Sequence, residues 1–123
     1  MNWIKKRTRE YEVFWHLTSK DKANVIIKTG LKQFDDQGIN AYGLGVYCIL
    51  RDSCDTTQLN TLIQLLERRD IPQKDQVIIE FEYMGEYLIN DAGSSIYEED
   101  GWILIQKDIP VEHIDKVIPI KEV

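Results

Sequence analysis

Among its 123 residues the sequence has only two cysteines, two histidines and three prolines. Cys48 and Cys54 lack the Cys-x-x-Cys spacing and the histidine companions of a zinc site, and a cytosolic compartment argues against a disulfide. No apolar run approaches the ~20 residues of a membrane span, and charges between Lys5 and Glu12 interrupt any signal peptide. We therefore expect a cytoplasmic protein without a membrane partner or a metal.

The sequence also lacks an excess of positive charge. It has 15 lysines and arginines against 21 acidic residues, which gives a formal charge of −6. The overall field repels phosphate backbones, so a nucleic-acid partner is not expected. The single basic cluster is at residues 5–9, and residues 1–11 are a candidate flexible basic arm. The length fits one domain, residues 1–123, with one core and hence one site.

The first predicted elements are a strand and a helix. Residues 13–17 have the aromatic and β-branched side chains typical of a strand. Thr18 and Asp21 approximate a capping box, so the helix is expected to begin at Thr18. Gly30 is expected to end it in a left-handed conformation. The helix is indicated by apolar residues at helical spacing, namely Ala23, Ile26, Ile27 and Leu31.

A second strand and a second helix follow. Gly43 and Gly45 precede Tyr47 in the strand and indicate either a close approach by a ligand or simply a turn. Asp55 or Thr56 can cap the helix, which is expected to end before Pro72. Its apolar stripe is expected to face the core, and consists of Leu59, Leu62, Ile63 and Leu66.

The remainder of the chain is mostly β in pattern. Residues 77–83 alternate as a strand with one buried and one mostly wet face, and Met84-Gly85 should bend the chain before residues 87–89. Further strands are predicted at 102–105 and 117–120, with Pro119 at an edge or a strand end. Five to seven strands and two helices, the first helix lying between the first two strands, indicate an α+β domain.

The order of polar residues within the N-terminal third resembles a known superfamily. His16 and Thr18 end the first strand, Gly30-Leu31 ends the helix, and Gly-x-Gly-x-Tyr follows with Tyr47. This order resembles the ADP-ribosyltransferase superfamily, in its poly(ADP-ribose) polymerase-like and diphtheria-toxin-like members. The resemblance implies a split β-sandwich that binds NAD between two sheets. A Rossmann fold is not indicated, because the third glycine of its fingerprint is missing.

The resemblance also implies roles for particular residues. His16 would hydrogen-bond the adenosine ribose, and Thr18 with the backbone of Leu17 would contact the nicotinamide carboxamide. Tyr47 would stack on the nicotinamide ring, and Tyr42 would supply a second aromatic wall. NAD would be the substrate, without a metal, and the acceptor an unknown macromolecule that we expect to be a protein.

Two positions depart from the family pattern. Leu17 stands where the family has a glycine. The late strand at residues 102–105 puts Gly101 at the position of the family glutamate, and the nearest acids are Glu98, Glu99 and Asp100. Because transfer passes through an oxocarbenium-like transition state, one of these acids would serve as the catalytic carboxylate. The alternative is a solvated acidic loop.

Three functional classes remain open from the sequence. The first is an NAD-dependent mono-ADP-ribosyltransferase, with His16 and Tyr47 completing the site. The second is a catalytically silent relative that binds NAD, ADP-ribose or a protein partner. The third is a structural interaction domain, in which His16 is a hydrogen-bonded strand residue, Tyr47 a core aromatic and Thr18 only a helix cap. His113 follows Pro110 on a predicted turn and is given no role.

Overall fold

The computed structural model describes residues 3–35, 44–90 and 101–123. The predicted α+β class is confirmed for these residues. No helix within them is long and apolar enough to cross a membrane. The helices are α1 (Lys20–Thr29) and α2 (Thr56–Arg68). The strands are β1 (Trp3–Arg7), β2 (Glu12–Ser19), β3 (Phe34–Asp35), β4 (Leu44–Leu50), β5 (Gln76–Tyr83), β6 (Glu86–Asn90), β7 (Ile103–Ile105) and β8 (Ile114–Pro119).

The strands form one antiparallel sheet in the order β1-β6-β7-β4-β2-β5-β8, with β3 added beside β4. β2 pairs with β5 along eight residues. It pairs with β4 at only two positions, Phe14 with Leu50 and Trp15 with Ile49. We call these two pairs the junction. Beyond the junction, β2 and β4 separate and leave a gap in the sheet.

The N-terminal basic segment is a strand where a flexible arm was the candidate. Trp3–Arg7 pairs with β6 over its five residues. Arg7 donates from Nη2 to Glu86 Oε1 at 3.0 Å. The ladder continues at Thr8, whose main-chain N–H donates to the Gly85 carbonyl. The arm prediction was wrong for these residues, because their main chain is held by β6. With β1 and the short β3, the described strands exceed the expected five to seven.

The larger apolar cluster lies on the face of the sheet covered by α1. Phe14 and Phe81 are fully buried, and their ring centroids are 5.7 Å apart. Tyr83 and Tyr87 contact Phe14 edge-on, each at 5.9 Å. Ala23 is the residue of α1 buried in this cluster. Aromatic contacts across the sheet therefore join β2, β5 and β6 into one core.

The smaller cluster lies on the opposite face, under α2. It contains Ile49, Leu65 and Trp102, with Trp15 and Leu62 packed against it. The four predicted stripe residues of α2 are only half-buried, and Leu65 is the residue of α2 that is buried. α2 therefore covers this face incompletely, which leaves room beside the junction.

The helix ends follow local capping interactions. Ser19 caps α1, since its Oγ accepts from the Lys22 N–H at 3.2 Å. The prediction that Thr18 begins the helix was wrong, because pairing of β2 with β5 continues through Thr18. Gly30 ends α1 with φ 87° as expected, although its ψ of 174° is extended. Asp55 caps α2, one of the two predicted choices, and accepts from the Gln58 N–H at 2.7 Å.

β5 is buried on both faces, where one wet face was expected. Ile78 and Glu80 are 1% and 4% exposed, and within the strand only Glu82 is exposed. Around Glu80, the second face is covered by the side chains of Trp15, Arg51 and Lys116, which the local alternation of the sequence does not reveal. β8 lies at an edge of the sheet and ends at Pro119, in agreement with the prediction.

Candidate functional site

A cleft of about 560 Å³ opens where β2 and β4 separate beyond the junction. Its walls come from β2, β4, α1, α2 and Trp102. A volume of this size falls within the usual range of small-molecule sites. The cleft therefore results directly from the short junction.

The cleft has two chemically different sides. Side chains alternate along a strand, so His16 lies on the same face as Phe14, toward α1, and Tyr47 lies with Ile49, toward α2. We call these the α1 side and the α2 side. The α1 side is rich in polar groups, among them His16, Thr18, Lys22, Thr29 and Lys32. The α2 side is mostly aromatic and aliphatic, with Trp15, Leu17, Tyr47, Leu65 and Trp102.

His16 spans the gap between the strands. Its Nδ1 lies 2.7 Å from the main-chain carbonyl oxygen of Tyr47. Because a carbonyl only accepts, Nδ1 carries the proton and donates. Burial lowers the pKa of His16, the hydrogen bond to the Tyr47 carbonyl opposes that effect, and the charge of Lys22 adds to it. The neutral ring therefore keeps Nε2 as an acceptor, suited to a hydroxyl donor.

His16 and Tyr47 line one cleft, yet from opposite sides. The resemblance implies that both side chains hold parts of one ligand. In the structure the ring of His16 contacts the main chain of Tyr47. A ligand that touches both side chains must therefore extend through the gap.

The other predicted site residues are placed as follows. Thr18 is buried in β2 and lines the α1 side, while Leu17 lines the α2 side. Tyr42, together with the three candidate carboxylates Glu98, Glu99 and Asp100, lies outside the described residues. Their predicted roles stay predictions.

The charges along the cleft are of one sign. Among the described residues that line it, Lys22, Lys32 and Arg69 are cationic, and none is an aspartate or glutamate. Lys32 forms a long ion pair, 4.0 Å, with the exposed Asp108. The cleft therefore favours an anionic ligand although the chain as a whole is acidic.

Trp15 and Glu80 are neighbours at the site that no sequence pattern indicated. The Trp15 indole donates to Glu80 Oε1 at 3.0 Å. Arg51 Nη1 and Lys116 Nζ lie 3.6 and 3.7 Å from the same carboxylate. Burial alone would raise the pKa of Glu80, but the hydrogen bond from Trp15 and the nearby cations Lys116 and Arg51 lower it. Glu80 thus holds the Trp15 ring in the wall of the cleft. A glutamate in an alternating strand gives no local signal of this burial.

The remaining thiol chemistry is limited. Burial raises the pKa of the Cys48 thiol well above its usual value, so Cys48 is a small hydrophobe. Within residues 3–35, 44–90 and 101–123, no three His, Cys, Asp or Glu side chains gather closely enough to hold a metal ion.

In comparisons with family models, curated proteins and solved structures, no match to this chain was found.

Proposed function

We propose that the cleft binds NAD and that the protein transfers ADP-ribose from NAD to a macromolecular acceptor, expected to be a protein. The observation that carries the proposal is the two-sided cleft, polar and cationic toward α1 and aromatic toward α2. The sequence order from His16 through Gly30 to Tyr47, which resembles the ADP-ribosyltransferases, supports the same ligand. The separation of β2 from β4 is consistent with a split β-sandwich.

A dinucleotide matches the chemistry of the cleft. NAD has two ring systems joined by a diphosphate, so one molecule can occupy both sides of the gap. On the α1 side, a ribose hydroxyl would donate to Nε2 of His16, and the diphosphate would lie toward Lys22 and Lys32. On the α2 side, the nicotinamide ring would stack on Tyr47.

Transfer would require a carboxylate beside the reacting sugar. The bond between the ribose carbon and the nicotinamide nitrogen breaks, and nicotinamide leaves with the electron pair. The acceptor's nucleophile bonds to that carbon and loses its proton. Glu98, Glu99 or Asp100 would stabilise the positive charge that develops on the sugar. Replacing the responsible acid by Gln or Asn should abolish nicotinamide release with little change in affinity, because the charge is greatest in the transition state.

A second candidate is a catalytically silent relative that binds NAD or ADP-ribose. It is favoured by one observation: among the described residues that line the cleft, none is acidic. This candidate requires NAD binding without nicotinamide release by the wild-type protein. A nicotinamide-release assay on the wild type separates the two candidates.

Titration calorimetry with NAD tests the binding step that both candidates share. His16→Ala should weaken NAD binding roughly twofold to tenfold, the effect of one hydrogen bond. His113→Ala is the matched control, because His113 is the second histidine in the sequence and does not line the cleft. No binding at millimolar NAD, or equal effects of the two substitutions, would contradict the proposed site.

A further inference from the structure

Glu80 is a buried carboxylate that lies next to one wall of the cleft. It is 4% exposed and does not line the cleft, but it is hydrogen-bonded to Trp15, which does. We propose that Glu80 is a positioning residue, which raises the affinity for the nicotinamide ring by fixing the indole of Trp15 on the α2 side. This inference rests on the proposed function, since it assumes a pyridine dinucleotide with its ring on that side.

The main chain of Trp15 is fixed on both edges of β2. Trp15 is paired with Ile49 on β4 and with Glu80 on β5. Directly opposite residues of antiparallel strands have their side chains on the same face of the sheet, so these three lie on the α2 side. The indole packs against the cluster of Ile49, Leu65 and Trp102, and it also lines the cleft. A ring bound on the α2 side can therefore contact the indole directly.

The carboxylate fixes the rotation of the indole. The Trp15 N–H donates to Glu80 Oε1 at 3.0 Å, and Arg51 and Lys116 lie 3.6 and 3.7 Å from the same carboxylate. Hydrogen bonds to an ionised acceptor are stronger than those between neutral groups. A rotation of the indole would break this bond and leave a buried carboxylate without one of its donors. Trp15 is therefore held in one orientation before a ligand binds.

The group that Trp15 offers to a ligand is the flat face of its ring, because its N–H is already bonded. The nicotinamide ring of NAD is aromatic and carries a positive charge. An indole face attracts a cation more strongly than the face of a tyrosine or phenylalanine. The rest of the dinucleotide, which the proposed function places toward α1, does not need this face. The effect of Glu80 should therefore be specific to the nicotinamide ring.

Calorimetry with NAD and with ADP-ribose, which lacks the nicotinamide ring, tests the inference. Glu80→Leu removes the acceptor of the indole N–H. It should weaken NAD binding about twofold to tenfold, the range of one aromatic interaction, and leave ADP-ribose binding nearly unchanged. Glu80→Gln retains an acceptor oxygen and should restore most of the NAD affinity. The matched control is Glu82→Leu, at the exposed position of the same strand, which should change neither affinity.

A double substitution tests whether Glu80 acts through Trp15. Trp15→Phe removes the same hydrogen bond from the other partner and retains an aromatic ring. It should also weaken the binding of NAD and not that of ADP-ribose. In the Trp15→Phe background, Glu80→Leu should cause little further loss of NAD affinity. A further loss as large as in the wild-type background would overturn the inference, because Glu80 would then act by another route.

The remaining outcomes separate this inference from the proposed function. Equal losses of affinity for NAD and ADP-ribose in Glu80→Leu, or an unchanged NAD affinity, would overturn the inference and leave NAD binding intact. If Glu80→Leu does not fold, the same two outcomes in Trp15→Phe decide. If neither ligand binds the wild type at millimolar concentration, the inference and the proposed site both fail.

Discussion

The two edges of β2 are paired to different extents. Along β5, all eight residues of β2 find register partners, and the side chains there form the aromatic core. Along β4, only Phe14 and Trp15 are paired, and the cleft begins at the second of these residues, Trp15. β2 thus contributes to both the core and the candidate site. The core lies along the edge that is fully paired, and the site lies along the edge that has only two pairs.

The largest expected effect is where β2 is paired on both of its edges. Phe14→Ala removes a fully buried ring with three aromatic neighbours and should lower the free energy of unfolding by about 3 to 5 kcal/mol. Leu17 is half-buried and is paired with β5 but not with β4, so Leu17→Ala should cost clearly less. Denaturant titrations of the two variants make the comparison. Equal losses would mean that the part of β2 beyond the junction is as important to stability as the junction.

Beyond the junction, where β2 and β4 separate, a substitution should affect ligand binding more than stability. Tyr47→Ala should weaken NAD binding by about 1 to 3 kcal/mol, the scale of a lost aromatic face. Its loss in the free energy of unfolding should be smaller than that of Phe14→Ala. The control is Tyr11→Ala, because Tyr11 is 53% exposed and does not line the cleft. Calorimetry measures both. A similar loss of affinity in the control would contradict stacking on Tyr47.

Glu80 connects the two edges, because it lies on β5 and holds Trp15. Glu80→Gln should lower stability by about 1 to 2 kcal/mol at pH 7, since the half-exposed Arg51 and Lys116 can be rehydrated. Because the pKa of Glu80 is lower in the folded protein than its ordinary value of 4.5, the ionised carboxylate stabilises the fold at pH values above 4.5. This contribution is lost as the pH falls through the pKa of the folded state.

Urea unfolding between pH 7 and pH 3 tests the sign of that effect. The difference in the free energy of unfolding between the wild type and Glu80→Gln should become smaller as the pH falls. Glu82→Gln is the matched control, being exposed on the same strand. A difference that becomes larger at low pH would mean that the buried carboxylate is destabilising when ionised.

The smallest expected effect is at the end of β2. Ser19→Ala removes the cap of α1 and should cost about 1 kcal/mol of stability, whereas Ser19→Asp should retain most of it. Thr18→Val, of similar volume, tests the cap that the sequence suggested. Thermal or urea unfolding suffices. A larger loss of stability in Thr18→Val than in Ser19→Ala would indicate that Thr18 caps the helix, as the sequence predicted.

Local signals explain which elements were predictable. Helical spacing, Asp55 and Gly30 located α1 and α2, since caps and periodicity depend on neighbours within a few residues. The alternation of β5 was readable in the same way. β1 was not, because a basic segment becomes a strand only by pairing with β6, some 80 residues later in the chain.

The candidate site was predictable in part for the same reason. The order of His16 and Tyr47 in the sequence indicated one cleft, and both residues line it. Which side each occupies depends on the register of β2 with β4, fixed by just two pairs distant in sequence. The burial of Glu80 depends on Lys116, from β8, and on Arg51. Such long-range pairings leave no trace in local periodicity.

The charges of β1 have a further consequence for how copies of the molecule meet. β1 is the outermost strand at one end of the sheet, and Lys5, Lys6 and Arg7 are exposed along it. A second copy that tried to extend the sheet through the same edge would bring like charges together. The basic run therefore disfavours aggregation by pairing of β1 with the same strand of a second copy.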